Sequence, residues 1–548
     1  MIAKIHSAIP YGYTGKLIEV EGDTNRGLPG FHIVGMAHKT VFEARERVRS
    51  AITNSGLTFP SQKLTINLAP AELAKDGSHL DIPIALNILT LAGQLLPSDT
   101  SDRLFVGELS LDGRAKPVRG IINIVETAVH AGFKAIYVPQ ANLAQASLVP
   151  DAQVFGVTNL LDLVLHLKDN RPLPAPPQFV VKNTKTDTTG PFLDDVCGQT
   201  LVKRALTIAI AGRHNLLLSG SPGAGKTLLA RVAANLLPPP SPQESISITK
   251  LHSLGASTDQ IHAQRPFRAP HHTASPTALL GGGPHALPGE VSLAHHGVLF
   301  LDELPEFPRN LLEALRQPLE DKTITISRSE QRVLYPTDFM LIATMNPCPC
   351  GFFGDPVHPC TCPPHILERY RRKLSGPILD RIDLIINVEK VDLAHLTAAS
   401  NTHLTNTSNT HLATVPSTRL TSLPSTPSAD PAQPHHPHVK ITQTDTTTPP
   451  EHLFAQKAIL AAATRQHHRY ADFTTYNSSL TPQALTSSLR ITPAARAFLT
   501  TAAKQLDLSA RAYFKVLKVA QTIADLDGLT EVDTEQISES LSFRQRIY

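Results

Sequence analysis

Eight consecutive residues, Gly220, Ser221, Pro222, Gly223, Ala224, Gly225, Lys226 and Thr227, have the types and spacing needed to hold a polyphosphate. Glycines let backbone amides curl round an anion without Cβ collisions, and the helix that follows adds partial positive charge at its N-terminus. Lys226 can then reach the β and γ phosphates, and the Thr227 hydroxyl can ligate Mg²⁺. The run Val298 to Glu303 (VLFLDE) supplies the acids such a site requires. Asp302 would hold Mg²⁺ through water, and Glu303 would orient and polarise the attacking water. Asn346 stands just past the apolar run Phe339 to Thr344 (FMLIAT), where a neutral amide can hydrogen-bond both that water and the γ phosphate without cancelling Lys226. The expected cofactors are ATP and Mg²⁺, and the expected reaction is ATP hydrolysis.

A second constellation follows at once. Cys348, Cys350, Cys360 and Cys362 form two close pairs around a Pro/Gly loop and could offer four thiolates to a structural Zn²⁺. CxC is a less usual spacing than CxxC, and idle reduced thiols or a redox pair are the other readings. Four ligands leave no open position on the metal, so its job would be to brace the loop beside the ATP site. His271 and His272 are adjacent and flanked by Pro, so they cannot both face one metal from a helix; loop packing or substrate contact is expected of them.

Positioning these groups takes an α/β framework. His214 to Ser219 reads as a buried strand and Thr227 to Leu237 as an apolar-faced helix, which sets the glycines at a strand-to-helix turn. The acids end a fully apolar strand, at the carboxyl edge where open α/β sheets bind ligands. After a helix from Pro308 to Gln317, the runs Lys322 to Ser327 (KTITIS) and Arg332 to Tyr335 flank a charged turn, which is a hairpin signal. Residues 191–394 therefore read as one ATPase core, with the cysteine-rich loop at 346–365.

Ahead of it, residues 1–168 alternate strand-like runs (Lys16 to Glu21, Lys63 to Leu68, Ala135 to Pro139) with helical ones (Lys39 to Ser55, Ile82 to Ala92, Ile121 to Ala131), as an α/β domain does. Residues 169–190 are rich in Pro and Thr and read as a linker. Residues 395–450 are Ser, Thr, Pro, Asn and His with SNTHL repeated, a composition expected to be a disordered insert. Residues 451–548 return to helices, at Leu453 to His468, Pro493 to Gln505, Ser509 to Leu526 and from Thr534. The whole is an α/β multidomain chain.

With 50 Lys and Arg against 47 Asp and Glu the net charge is only +3, so nucleic-acid binding would have to come from a local patch. No secretory leader and no long apolar run is present, and a cytoplasmic protein that does not enter membranes is expected.

The N-terminal stretches Lys75 to Asp81 (KDGSHLD) and Gly107 to Pro139 resemble the peptidase domain of Lon-type proteases. The resemblance implies a Lon-peptidase-like fold but not its chemistry. His79 stands where that family has its nucleophilic serine, Ser78 is one position early, and Ile121, Ile122, Asn123 and Ile124 replace its lysine-bearing stretch. Gly198-Gln199 resembles the element that packs near adenine in AAA+ ATPases. Taken with GSPGAGKT, RPFRAPHH, VSLAHHGVLFLDELPEF, ATMNPCPCGFFGD, KLSGPILDRID and SARAYFKVLKVA, the chain resembles the ComM/YifB family of magnesium-chelatase-like AAA+ ATPases. That resemblance implies an AAA+ P-loop NTPase core with a C-terminal helical lid and assembly into a homo-hexameric ring. It further implies a helicase that threads branched or single-stranded DNA and drives branch migration during natural transformation, with recombination proteins as further partners.

It also implies roles for residues. Arg381, in ILDRID, would be an arginine finger reaching a neighbour's ATP, the other reading being an ion pair with Asp380 or Asp383. Arg511 would sense the γ phosphate from the lid, or be an exposed helix arginine. Lys322, Arg328 and Arg332 on the hairpin would meet DNA phosphates, or decorate a solvated tip. A chelatase-like or chaperone-like ATPase that remodels a protein partner is the alternative to a DNA motor.

Overall fold

The computed structural model describes all residues except 1, 26, 36–38, 74, 76–77, 170–172, 174–189, 256–259, 284, 328–331, 356–357, 375, 391–448, 473 and 545–548. Most of the expected linker, nearly all of the expected insert, Asp76, Gly77 and Arg328 therefore lie outside the described residues.

The N-terminal part is built on a seven-stranded mixed sheet, in the order Gly30–Val34, Lys63–Ala69, Thr14–Asn25, Ile2–Tyr11, Arg103–Phe105, Ala135–Pro139, Val154–Val157. Its centre is a long hairpin in which Ile2 opposes Asp23 and Tyr11 opposes Thr14. Lys63–Ala69 shows how sequence makes such a strand: Leu64, Ile66 and Leu68 alternate into the core while the residues between them stay partly exposed. Across this sheet lies Asp81–Leu91, a helix apolar on nearly every side and buried over Asp81 to Thr90. A helix without a polar face has to be covered on all sides, and this one is.

Lys75, in the KDG run, is fully buried, and its Nζ donates to the carbonyls of Gly35, at 3.1 Å, and Pro70. Ser78 donates to Glu108, while a ring nitrogen of buried His79 meets the Arg119 carbonyl.

The second sheet carries the candidate site. Five strands run parallel in the order Phe267–Arg268, Val298–Leu301, Met340–Met345, Leu216–Gly220, Leu384–Val388. Val298–Leu301 and Met340–Met345 are buried throughout, as their uninterrupted apolar sequences require. The expected helix from Pro308 to Gln317 is two short ones, Arg309–Ala314 and Arg316–Asp321, and the second ends at Lys322 in left-handed backbone. The hairpin Thr323–Ser327 with Arg332–Pro336 follows, with Ser327 opposite Arg332. Its inner face, Ile324, Ile326, Val333 and Tyr335, packs on Leu251 and Leu254 of helix Pro242–Gly255 and on Tyr11 and Tyr13 of the N-terminal hairpin. Leu334, on the other face, is exposed.

The C-terminal helices Pro450–Tyr470, Pro482–Ser488, Pro493–Gln505, Ala510–Asp527 and Thr534–Ser542 form a helical layer with its own apolar cluster around Leu499, Val516, Ala520 and Ile537. Helices Pro450–Tyr470 and Ala510–Asp527 pack on helix Thr200–Gly212, and Arg204 bridges to Asp527 and Glu539. The chain then returns to the second sheet, where the Phe543 carbonyl accepts the Ile385 amide at 2.8 Å. Among the described residues no helix is long and apolar enough to cross a membrane.

Candidate active site

Leu216–Gly220 feeds the phosphate loop into helix Lys226–Leu236. Gly223 and Gly225 have φ of 81° and 83°, left-handed values that glycine adopts without cost, and a Cβ on either would meet nothing within 4 Å. The loop thus presents backbone toward open space. Gly220 is required for a different reason, because a Cβ there would lie 2.4 Å from the Val388 carbonyl of the neighbouring strand.

Lys226 folds back over the loop. Its Nζ donates to the carbonyls of Gly220 at 2.6 Å and Ser221 at 3.0 Å, and to Asn346 Oδ1 at 3.1 Å. Burial lowers its pKa, against the opposing pull of Asp302 and Glu303. An incoming γ phosphate would exchange these contacts of the ammonium with neutral oxygens for charge-assisted ones.

The acids meet the loop from the adjoining strand end. Thr227 Oγ1 donates to Asp302 Oδ2 at 3.3 Å. The pair fits a Mg²⁺ that would take the Thr227 hydroxyl as a direct ligand and leave Asp302 to accept a hydrogen bond from one of the ion's waters. Thr344, at the end of Met340–Met345, donates to the other oxygen of Asp302, and its Oγ1 accepts the Glu303 amide at 3.0 Å. This fully buried threonine fixes both acids and was not singled out from sequence; a hydroxyl closing an otherwise apolar strand was the available signal. Glu303 has φ of 54° and a side chain that is 51 % exposed, so strained backbone presents the carboxylate to solvent.

Around this centre, Gln199 Nε2 donates to the carbonyls of Ala224 at 3.2 Å and Glu389 at 3.0 Å, tying the Gly-Gln element to the loop. His272 Nδ1 lies 4.0 Å from Glu303 Oε2, with its ring edge-on to Phe307 and 4.1 Å from the ring of His271.

The cysteines converge. Cys348 Sγ is 3.2 Å from Cys350 Sγ and 3.7 Å from Cys360 Sγ, Cys350 and Cys360 are 3.6 Å apart, and all four sulfurs lie within 4.8 Å of one another. Tetrahedral zinc with Zn–S bonds of about 2.3 Å sets its sulfurs about 3.8 Å apart, so the cluster is compatible with a zinc site. Backbone amide donation, first from Phe352, brings the Cys350 thiol down to about 6. The loop rests on the phosphate loop, since a Cβ on Gly351 would lie 2.5 Å from Pro222 Cδ. Tyr370 adds a hydrogen bond to the Asn346 carbonyl at 3.1 Å.

The remaining expected residues lie apart from this cluster. Arg381 is 7 % exposed and pairs with Glu320, rather than with Asp380 or Asp383, and donates to the Pro377 carbonyl. Arg511 Nη2 reaches the same Glu320 oxygen at 3.7 Å. Among the described residues neither arginine bonds to Lys226, Thr227, Asp302, Glu303 or Asn346. Lys322 sits at the base of the hairpin and pairs with Asp338 at 2.9 Å, whereas Arg332 is exposed near its tip.

Comparison with known proteins agrees with this architecture. Family models described as "Magnesium chelatase, subunit ChlI", "Subunit ChlI of Mg-chelatase" and "Magnesium chelatase, subunit ChlI C-terminal" match residues 192–396, 20–142 and 454–544. The chain is 37% identical to competence protein ComM of Haemophilus influenzae over 100% of this chain and 98% of ComM. It is also 37% identical to the uncharacterized protein YifB of Salmonella typhimurium over 99% of this chain and 97% of YifB. A shorter match, 23% identical over 31% of this chain and 23% of the relative, is to the Lon protease of Trichlorobacter lovleyi. With a phosphate loop, paired acids and a polar strand-end residue on one parallel sheet, and full-length similarity of this order, the chain belongs to the ComM/YifB family of magnesium-chelatase-like AAA+ ATPases.

Proposed function

We propose that this protein is a cytoplasmic, ring-forming motor, a homo-hexamer that hydrolyses ATP between subunits and uses the cycle to drive branched or single-stranded DNA through branch migration. The observation that carries the intersubunit part is the position of two arginines. Arg381 and Arg511 share Glu320 and make no contact with their own chain's phosphate loop, which supports their acting on a neighbour's nucleotide. In each site Lys226 and the loop amides bind the phosphates, Thr227 and Asp302 hold Mg²⁺, Glu303 takes a proton from the attacking water, and Asn346 orders that water. Bound there, Mg²⁺ would supply charge neutralisation to the polyphosphate.

The DNA assignment rests on the hairpin and on kinship with a protein named for competence, a role that a branch-migration motor in natural transformation would fill. Because Lys322 pairs with Asp338, the phosphate contacts fall to Arg332 and, outside the described residues, to Arg328. The chain then divides at 1–168, 169–190, 191–394, 395–450 and 451–548 into a Lon-like domain without peptidase chemistry, a linker, the ATPase core, an insert and a lid. ATPase assays with no DNA, linear single and double strands and a four-way junction test this reading. Stimulation strongest with the junction, and reduced in Arg332→Ala, is expected; a rate indifferent to every DNA would replace the DNA motor with a protein-remodelling one.

Zinc at Cys348, Cys350, Cys360 and Cys362 would lock the loop that bears on Pro222. Cys360→Ser should lose the metal and weaken binding of a fluorescent ATP analogue, read by metal analysis and by titration. A metal-free protein with unchanged affinity would remove the brace from the account.

A further inference from the structure

Glu320 has no place in the phosphate site, yet it is where two functional elements meet. Its Oε1 is shared by Arg381, from the turn after Gly376–Leu379, and by Arg511, from the first turn of helix Ala510–Asp527. Both placements need the acid. Arg381 is almost buried, its Nε has no hydrogen-bond partner, and a guanidinium so desolvated requires a counter-charge. Arg511 is the second residue of its helix, at the positive end of the helix dipole, where a cation is disfavoured. Two guanidiniums brought to one point also repel each other. A carboxylate between them offsets all three costs, and 48 % of its side chain remains exposed, so a second anion can approach from solvent.

Glu320 also lies three residues before the hairpin strand Thr323–Ser327, in helix Arg316–Asp321. Clefts of about 650 and 540 Å³ open on its two sides, one toward Ile324 and Ile326 of the hairpin, the other toward Lys515 and Phe514 of the helical layer.

We infer that Glu320 is a positioning residue: it gathers Arg381 and Arg511 into one bidentate unit for the neighbouring subunit's nucleotide and fastens that unit to the base of the hairpin. This rests on the proposal that the arginines act across a subunit boundary. When a γ phosphate takes the two guanidiniums, Glu320 loses its partners, and the short helix leading into the hairpin is freed to move. Nucleotide state in one subunit is thereby passed to the hairpin of the next.

The test compares Glu320→Gln, Glu320→Asp, Arg381→Ala and the double variant Glu320→Gln/Arg381→Ala, all as full chains. Glu320→Gln should lower kcat at least about tenfold, a fraction of what a finger arginine supplies. Binding of a fluorescent ATP analogue should stay unchanged, because its own phosphate loop does not touch Glu320, while the melting temperature should fall in Glu320→Gln, which leaves the Arg381 guanidinium without its counter-charge, and recover when Arg381 is removed as well. Glu320→Asp should recover part of kcat, since the charge is kept. The double variant should be no slower than Arg381→Ala alone, because Glu320 acts through that arginine. Full activity in Glu320→Gln while Arg381→Ala is inactive would overturn this inference alone, as would multiplicative losses in the double variant or a Glu320→Gln that no longer binds the analogue. Full activity in Arg381→Ala would instead overturn the intersubunit reading beneath it.

Discussion

Glu303→Gln should abolish ATP turnover while leaving ATP bound. The carboxylate sits on left-handed backbone, half exposed, with its amide fixed by Thr344, so the loop presents the side chain to the water position and contributes nothing to the phosphate cradle. Glutamine is isosteric, keeps an acceptor oxygen and removes only the proton-accepting charge. Loss of a general base costs about 10² to 10⁴ in rate. On the proposed function nucleotide affinity rests with Gly220 to Thr227 and Asp302, so it should be unaltered, or rise as the complex persists. Steady-state phosphate release together with equilibrium titration of a fluorescent ATP analogue separates the two quantities. A Glu303→Gln protein that turns over at the parental rate would move the base elsewhere. His272, 4.0 Å away, would be the first group to inspect.

The parts of this site that could be read in sequence are those whose chemistry is local. GSPGAGKT dictates its own backbone, because the left-handed φ of Gly223 and Gly225 and the helix that starts at Lys226 follow from residue type. VLFLDE likewise announces a buried strand with acids at its end, and the alternation of Thr323 to Ser327 announces a hairpin. What escaped depends on which strands become neighbours. Thr344 matters because Met340–Met345 lies beside Val298–Leu301, a pairing that no local pattern encodes. The strand Ile2–Tyr11 went unread because its polar and apolar residues alternate imperfectly, and its hairpin partner decides its state. Helix Pro242–Gly255 carries buried Glu244, Ser245, Thr249 and Lys250, which blur the helical period. Those groups are satisfied far from their own turn, Glu244 by Arg213 and Arg265 and Lys250 by Glu126. Of the two readings of Arg381, the intrachain one named an adjacent aspartate as its partner. The partner within the chain is Glu320, remote in sequence and brought close by the helix before the hairpin, whose Leu319 packs on the cluster under the second sheet.

Arg381→Ala should be as inactive as a phosphate-loop variant when assayed alone, with a loss of about 10³ to 10⁵ in rate, the range attached to an arginine that meets transferring phosphoryl charge. Such a loss by itself would not say in which subunit the arginine works. Mixing does. A Lys226→Ala chain has a damaged phosphate loop but an intact Arg381, and an Arg381→Ala chain has the reverse. If each arginine serves the next subunit, every contact in which a Lys226→Ala chain offers its arginine to an Arg381→Ala chain rebuilds one complete site. Random co-assembly then produces such contacts at about one interface in four, as simple counting for a closed ring of two subunit types requires. The mixture should therefore recover on the order of a quarter of parental ATPase from two inactive proteins, and Arg511→Ala should behave as Arg381→Ala does because the two share Glu320. Recovery should rise with total protein concentration, since it depends on assembly. A mixture that stays as inactive as its components, under conditions where light scattering shows co-assembly, would return both arginines to their own subunit and require the helical layer to swing toward its own phosphate loop during the cycle.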